Sequence, residues 1–346
     1  MSALLIIQQA ISKVVSGSNL ERDEARGVMA EIMEGAATSA QIGSLLTALR
    51  MKGETLDEIT GFAETMRSKA MKVNVSQTNL LDTCGTGGDG SDTFNISTAS
   101  ALVAAAGGIR VAKHGNRAMS SKSGSADVLE ALGVNIQLSG AQAAACINQV
   151  GIGFMFAQAY HQSMKHAAGP RKELGFRTVF NLLGPLTNPA GADRQVLGIF
   201  DRTRTELIAE VLRALGLKRA LVVASLDGLD EISVSAPTKV TELKDNEIHT
   251  YELTPDDLGL RTYPLKEVIG GNAEENAAII HRILAGEKGA HRDIVLANAG
   301  ACFYVTGRCA TLQEAVKFAG SVIDSGKAAD KLKELVQFTG DLSHVS

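Results

Sequence analysis

Apolar residues recur at helical spacing from residue 3 to about 70, beginning with Leu4, Ile7, Ile11, Val14 and Val15, and the breaks in that rhythm carry helix punctuation. Thr38 stands three residues before Gln41 and Thr55 three before Glu58, so each hydroxyl can accept an orphan amide while the later side chain reaches back to the cap. Gly53 closes the helix between them. The pattern predicts an all-helical unit of about four helices, suited to forming one wall of a cleft. After Lys72 short apolar runs alternate with helices. Leu80 and Leu81 run into a glycine cluster; helices are expected over 97–106 and 126–132, strands over 109–112, 134–137 and 152–157, and a Ser139/Gln142 box opens another helix. This rhythm predicts βαβ units and a mainly parallel sheet. The stretch 161–190 is helical but broken by Pro170, Pro185 and Pro189, and part of it is expected to return to the helical unit. Strands over 194–200 and 220–224 flank a helix over 205–215, the alternating pair 239–243 and 247–253 predicts an antiparallel edge hairpin, and four helices over 272–338 follow, one opened by Thr311 and Glu314. The expected class is α/β: a small all-helical domain over 1–72 and a larger α/β domain over 73–346 with a mainly parallel central sheet.

Composition narrows the function. With 346 residues, 45% apolar and 21% charged, the chain can bury a large core. Its 34 Lys+Arg against 38 Asp+Glu leave a net charge of −4, which gathers neither nucleic acid nor an acidic membrane, so any anion site must be local. Zero Trp and 35 Gly also supply few stacking platforms for single-stranded nucleic acid. Cys84, Cys146, Cys302 and Cys309 have no metal-ligand spacing and read as reduced thiols, which places the expected compartment in the cytoplasm. The first sixteen residues read as a helix of the folded protein, neither signal peptide nor membrane span.

The segment Asp82-Thr83-Cys84-Gly85-Thr86-Gly87-Gly88-Asp89-Gly90 follows a strand and precedes a helix, and its glycines let backbone amides approach a ligand closely. It satisfies G-x-G-x-x-G literally. A dinucleotide site is disfavoured, because the helix begins only after Asn95 and no Asp or Glu occurs from Thr93 to Ala126 to hold a ribose hydroxyl. A P-loop fails because Ser91 stands where its lysine belongs. The acid-free span is a second signal: it carries Arg110, Lys113, Arg117 and Lys122 with His114 and several serines, between two helix N-termini at Asn95–Thr98 and Ser123–Ala126. Taken singly these are surface charges and caps. Together they point to a local anion trap for a polyphosphate. Asp227-Gly228-Leu229-Asp230-Glu231, at the end of the strand over 220–224, is either a solvated turn or a place for Mg²⁺. Arg171 after Pro170 is expected to open a helix facing the cleft.

Seven motifs in order, Gly85–Gly90, Asn95–Ala99, Lys113–Arg117, Gly124–Gly133, Arg171–Gly175, Asn181–Pro189 and Asp227–Glu231, closely resemble the anthranilate phosphoribosyltransferase family, and the likeness runs from the first helix to the last. The resemblance implies a nucleoside phosphorylase/phosphoribosyltransferase-like fold with the site between two domains and a homodimer formed through the helical one. It implies Mg²⁺-dependent transfer of phosphoribosyl from phosphoribosyl pyrophosphate (PRPP) to the amine of anthranilate, with loss of pyrophosphate. Position by position, Gly85, Gly88, Asp89, Thr93, Asn95, Ile96, Ser97, Thr98, Lys113, His114, Gly115, Asn116, Arg117, Ala118, Met119, Ser120, Ser121 and Ser125 would contact PRPP. Ser97, Asp230 and Glu231 would hold magnesium, while Gly85, Asn116 and Arg171 would contact anthranilate, Arg171 through the carboxylate. Met119 is a mild departure from the family pattern.

Such a transfer builds positive charge on the sugar and negative charge on the leaving group, so positioning and neutralisation matter more than a strong base. Lys113 is the expected stabiliser of pyrophosphate, and His114 the candidate to relay the amine proton. A pyrimidine-nucleoside phosphorylase of the same architecture would need phosphate instead and would leave Asp230-Glu231 unexplained. A non-catalytic nucleic-acid-binding relative would need a positive stripe that the net charge disfavours.

Overall fold

In the computed structural model, which describes residues 6–342 apart from 77, 89, 119 and 120, four helices open the chain: α1 (Ile6–Val15), α2 (Arg22–Glu34), α3 (Ser39–Lys52) and α4 (Leu56–Lys69). Thr38 and Thr55 cap α3 and α4 as reciprocal boxes, each hydroxyl accepting the amide three residues on. The chain then runs β1 (Leu81–Gly85), α5 (Ile96–Ala106), β2 (Val111–Gly115), α6 (Ser125–Ala131), α7 (Gly140–Gln149), β3 (Ile152–Phe156), α8 (Ala157–Tyr160), α9 (Lys165–Leu174) and α10 (Phe180–Leu183). It continues through β4 (Arg194–Gly198), α11 (Thr205–Ala214), β5 (Arg219–Ser225), the hairpin β6 (Thr238–Lys244) and β7 (Glu247–Leu253), then α12 (Ala273–Leu284), α13 (Ala290–Val305), α14 (Leu312–Asp324) and α15 (Lys327–Asp341).

The seven strands form one sheet in the order β3-β2-β1-β4-β5-β6-β7. The first five are parallel and the hairpin is antiparallel at the edge. Strand alternation assigns side chains to two cores: Leu221 and Val223 face the core built with α5 and α13, while Ala220, Val222 and Ala224 face the core shared with α1–α4 and α11. Ala167 of α9 and Phe180, Leu182 and Leu183 of α10 join that second core, with α9 packed against α2 and α3. Chain order reverses between β1 and β4. Open α/β sheets gather ligands at such a point, beyond the carboxyl ends of the strands.

Two expectations need correction. Residues 134–137 are not a strand: Val134 and Ile136 are buried, but Asn135 bonds through its N–H and Nδ2 to Thr339 of α15 (3.2 and 3.4 Å). The alternation is real and reports burial of one face against a helix, where no ladder forms. Arg171 does not open a helix, since α9 starts at Lys165 and carries Pro170 in its interior, leaving Arg171 in the last turn. A buried proline here forgoes one backbone hydrogen bond and keeps its packing.

Candidate active site

At the switch point Gly85, the last residue of β1, pairs with Gly198, the last of β4. Both face the Asp230 loop that follows β5. A Cβ at Gly198 would coincide with the Asp230 carbonyl oxygen, and one at Gly85 would meet the Asp230 carboxylate. Asp230 therefore lies directly against the sheet's end, and its Oδ2 accepts the Gly87 N–H at 2.7 Å. Thr86 N–H donates to the Gly198 carbonyl at 2.9 Å, so the glycine loop is fastened to both neighbours. Glu231 follows Asp230 on the same loop. Two hard oxygen donors held at this edge suit Mg²⁺, which binds through one or two carboxylates with phosphates and water completing its shell. Among the described residues no three His, Cys, Asp or Glu side chains form a metal-ligating group.

The pleat of β2 sends adjacent residues to opposite faces. Lys113 shares the α5 face with Val111; it is buried, and its Nζ donates to the Thr83 carbonyl (2.6 Å) and to Ser97 Oγ at the start of α5 (3.3 Å). His114 turns the other way, its ring 5.0 Å from that of His161. Under β1, Asp82 is fully buried and accepts from the His114 N–H (3.2 Å) and from Asn188 Nδ2 (2.8 Å), which also donates to Ala112 O (2.8 Å). Burial pushes the Asp82 pKa up to about 6 against the opposing pull of Lys113. This pair ties the segment after α10 to the two central strands.

The acid-free span is acid-free in sequence and not in space. Arg117 pairs with Asp127 and Glu130 of α6 (2.9 and 2.5 Å), Lys122 with Asp92 (3.3 Å), and Arg110 precedes β2 at the far end of the sheet. Among the described residues, Lys113 is the cation of that set left at the carboxyl edge without a carboxylate ion pair. The N-terminus of α6 is likewise closed, because Asp127 accepts the N–H groups of Gly124 (2.8 Å) and Ala118 (2.9 Å). That of α5 stays open. It has no acid in its first turn and, among the described residues, no side-chain cap and no partner for the buried Thr98 Oγ1, the arrangement an incoming phosphate would satisfy. Asn95 instead bonds Ser123 O through Nδ2 (3.0 Å) and accepts from Ser123 Oγ (3.2 Å) and Asn276 Nδ2 (3.0 Å).

The other predicted positions surround these groups. Thr93 bridges Ile269, Ile96 is buried at the start of α5, and Gly115 packs against Ser125, whose hydroxyl donates to Asn116 O (3.3 Å). Asn116 Oδ1 accepts from the Arg117 N–H (2.8 Å) and Gln158 (3.4 Å), and Ser121 Oγ lies 3.5 Å from Ser123 O. Asp89, Met119 and Ser120 lie outside the described residues. Arg171 stacks over Phe180 (5.0 Å) and makes no hydrogen bond or ion pair among the described residues. Motif reading missed Gly198, Asn276 and the Asp82–Asn188 pair as site-builders. A glycine ending a buried strand was the available signal for the first; the others depend on contacts distant in sequence.

Burial holds His114 and His161 neutral, with pKa values pulled down to about 3 and about 4. Proton handling by His114 would have to run through an uncharged ring at neutral pH. Both groups bind protons more readily unfolded, so they lower stability as pH falls from about 6.5 through their folded pKa values. The melting temperature is expected to drop across that window, less steeply in His161→Gln; an identical slope in that variant would remove the imidazole from the account.

The fold and this edge define a glycosyl transferase of two parts: the glycosyl transferase family helical bundle domain matches residues 8–70 and the family's a/b domain matches residues 77–329. A curated relative, the anthranilate phosphoribosyltransferase of Acetivibrio thermocellus, is 58% identical over 96% of this chain and 97% of its own. The chain belongs to the anthranilate phosphoribosyltransferase family. The crystal structure of the Thermus thermophilus enzyme is similar with a TM-score of 0.91 and 46% identity, covering 95% of this chain and 99% of that one. The Saccharomyces cerevisiae enzyme in complex with PRPP and Mg has a TM-score of 0.88 at 26% identity, covering 97% of this chain and 98% of that one.

Proposed function

We propose that this chain transfers the phosphoribosyl group of PRPP to the amine of anthranilate, giving N-(5-phosphoribosyl)anthranilate and pyrophosphate in tryptophan biosynthesis. The observation that carries this reading is the open, uncapped start of α5 beside the buried Lys113 ammonium, on the same sheet edge as the Asp230-Glu231 loop. The helix start and ammonium supply positive potential to phosphate oxygens, and the glycine loop lets the sugar approach without side-chain bulk. Asp230 and Glu231, with Ser97 assigned by resemblance, would hold Mg²⁺, which when bound neutralises the pyrophosphate charge. Lys113 stabilises the same leaving group from the α5 face. Arg171, oriented by Phe180, would take the carboxylate of anthranilate. The aromatic amine is already a nucleophile, so orientation by Asn116 and Arg171 matters more than deprotonation.

The decisive experiment follows loss of anthranilate fluorescence on adding PRPP and Mg²⁺. Turnover that needs all three supports the reading, and none under those conditions would overturn it. Arg171→Ala is expected to raise the anthranilate KM about tenfold or more while the PRPP KM stays near wild type; equal changes in both would deny the carboxylate role.

Within the same reading, residues 1–72 with part of 161–190 form the helical domain and 73–346 the phosphoribosyl-binding domain. Val15 and Met51, 69% and 84% exposed on α1 and α3, support a homodimer through the helical domain, which sedimentation would test. Four free thiols support a cytoplasmic setting, and no described helix is long and apolar enough to cross a membrane.

A further inference from the structure

We propose that Arg177 is an anion ligand of the donor site, bringing a guanidinium from the segment between α9 and α10 onto the glycine loop to meet the diphosphate of PRPP. Its plane is fixed by Phe200, with the guanidinium carbon 4.0 Å from the ring centroid. Phe200 is itself fastened to the loop, because its N–H donates to Thr86 Oγ1 at 3.3 Å. The guanidinium also faces Gly88, where a Cβ would stand 3.2 Å from Nη2 and where φ is +72°, so backbone conformation and space both favour glycine. The group thus lies close to both a ring and the loop.

Among the described residues no carboxylate pairs with its charge. Arg22, Arg26, Arg204 and Arg292 each hold a carboxylate, whereas Arg177 makes no ion pair or hydrogen bond among the described residues. A stacked, oriented guanidinium with no carboxylate partner among the described residues, beside the glycine loop, is arranged to present its donors to phosphate oxygens. One residue earlier in the loop, Gly87 N–H already binds Asp230, so Arg177 and the Asp230 loop address the glycine loop from different elements. The segment carrying Arg177 packs on the helical lobe, and its contact with Gly88 therefore spans the two halves of the site.

This inference rests on the proposed phosphoribosyl transfer, and wild-type turnover in the same assay separates the two: an inactive wild type sinks the reaction, an active one leaves Arg177 to be judged alone. Arg177→Gln is expected to raise the PRPP KM about tenfold or more and to weaken product inhibition by pyrophosphate in parallel, with the anthranilate KM within about twofold. Arg177→Lys should recover part of both losses. Phe200→Leu, which keeps the charge and removes its platform, should shift the same two constants less, and it carries the test if Arg177→Gln folds poorly. Unchanged PRPP KM and pyrophosphate inhibition would overturn the proposal. So would a rise confined to anthranilate, which would give the guanidinium to the carboxylate.

Discussion

Gly198→Ala is expected to lower kcat/KM about a hundredfold and to reduce the melting temperature by several degrees. The added methyl has nowhere to go: its place is taken by the main-chain oxygen of Asp230, at the end of a strand paired on both sides. Side chains can rotate away from a new neighbour, but here the strand end or the Asp230 loop has to move. Overpacking of this kind costs on the order of 1–3 kcal/mol, more where backbone must shift. Displacement of the loop also breaks the 2.7 Å bond from Gly87 and carries both carboxylates off the edge. Gly43→Ala is the control, since that position lies inside α3 with open space around it and should be neutral or slightly stabilised. Wild-type kcat/KM in Gly198→Ala would show that Asp230 need not rest against the sheet.

Lys113→Met should lower kcat about 10²- to 10³-fold at saturating substrates, the range seen when one preorganised donor to developing charge is removed. Met preserves length and apolar stem, and the lost ammonium was buried with two neutral oxygens for partners, Thr83 O and Ser97 Oγ. Relief of the ammonium's desolvation and loss of its charge opposite the buried Asp82 carboxylate act on stability in opposite directions, so the variant is expected to melt near the wild-type temperature even as activity falls. That divergence between stability and rate marks a residue placed for chemistry. A kcat within about threefold of wild type would reject the role.

Much of the fold was legible because the signals were local. Thr38, Thr55, Ser139 and Thr311 each cap the helix their sequence spacing marked, and the edge hairpin shows its alternation openly. The strand expected over 134–137 failed for a physical reason: period-two burial says that one face is covered and is silent about what covers it. Charge was harder still. Arg117 and Lys122 looked unopposed along the chain, yet Asp127, Glu130 and Asp92 stand just beyond the ends of the acid-free run and neutralise them in three dimensions. The opposite error befell the glycines, where the loop motif drew attention and Gly198, a single residue at a strand end, did not. Its importance comes from Asp230, thirty-two positions later, which no window on the sequence joins to it.

The divergence of Lys113 and His114 from one strand has a practical meaning for anyone wishing to re-tool this catalyst. Substitutions at the imidazole pair act on one face of the strand, while the ammonium on the reverse side keeps its own companions. The two faces of β2 can in that sense be altered separately, with a single layer of backbone as the partition.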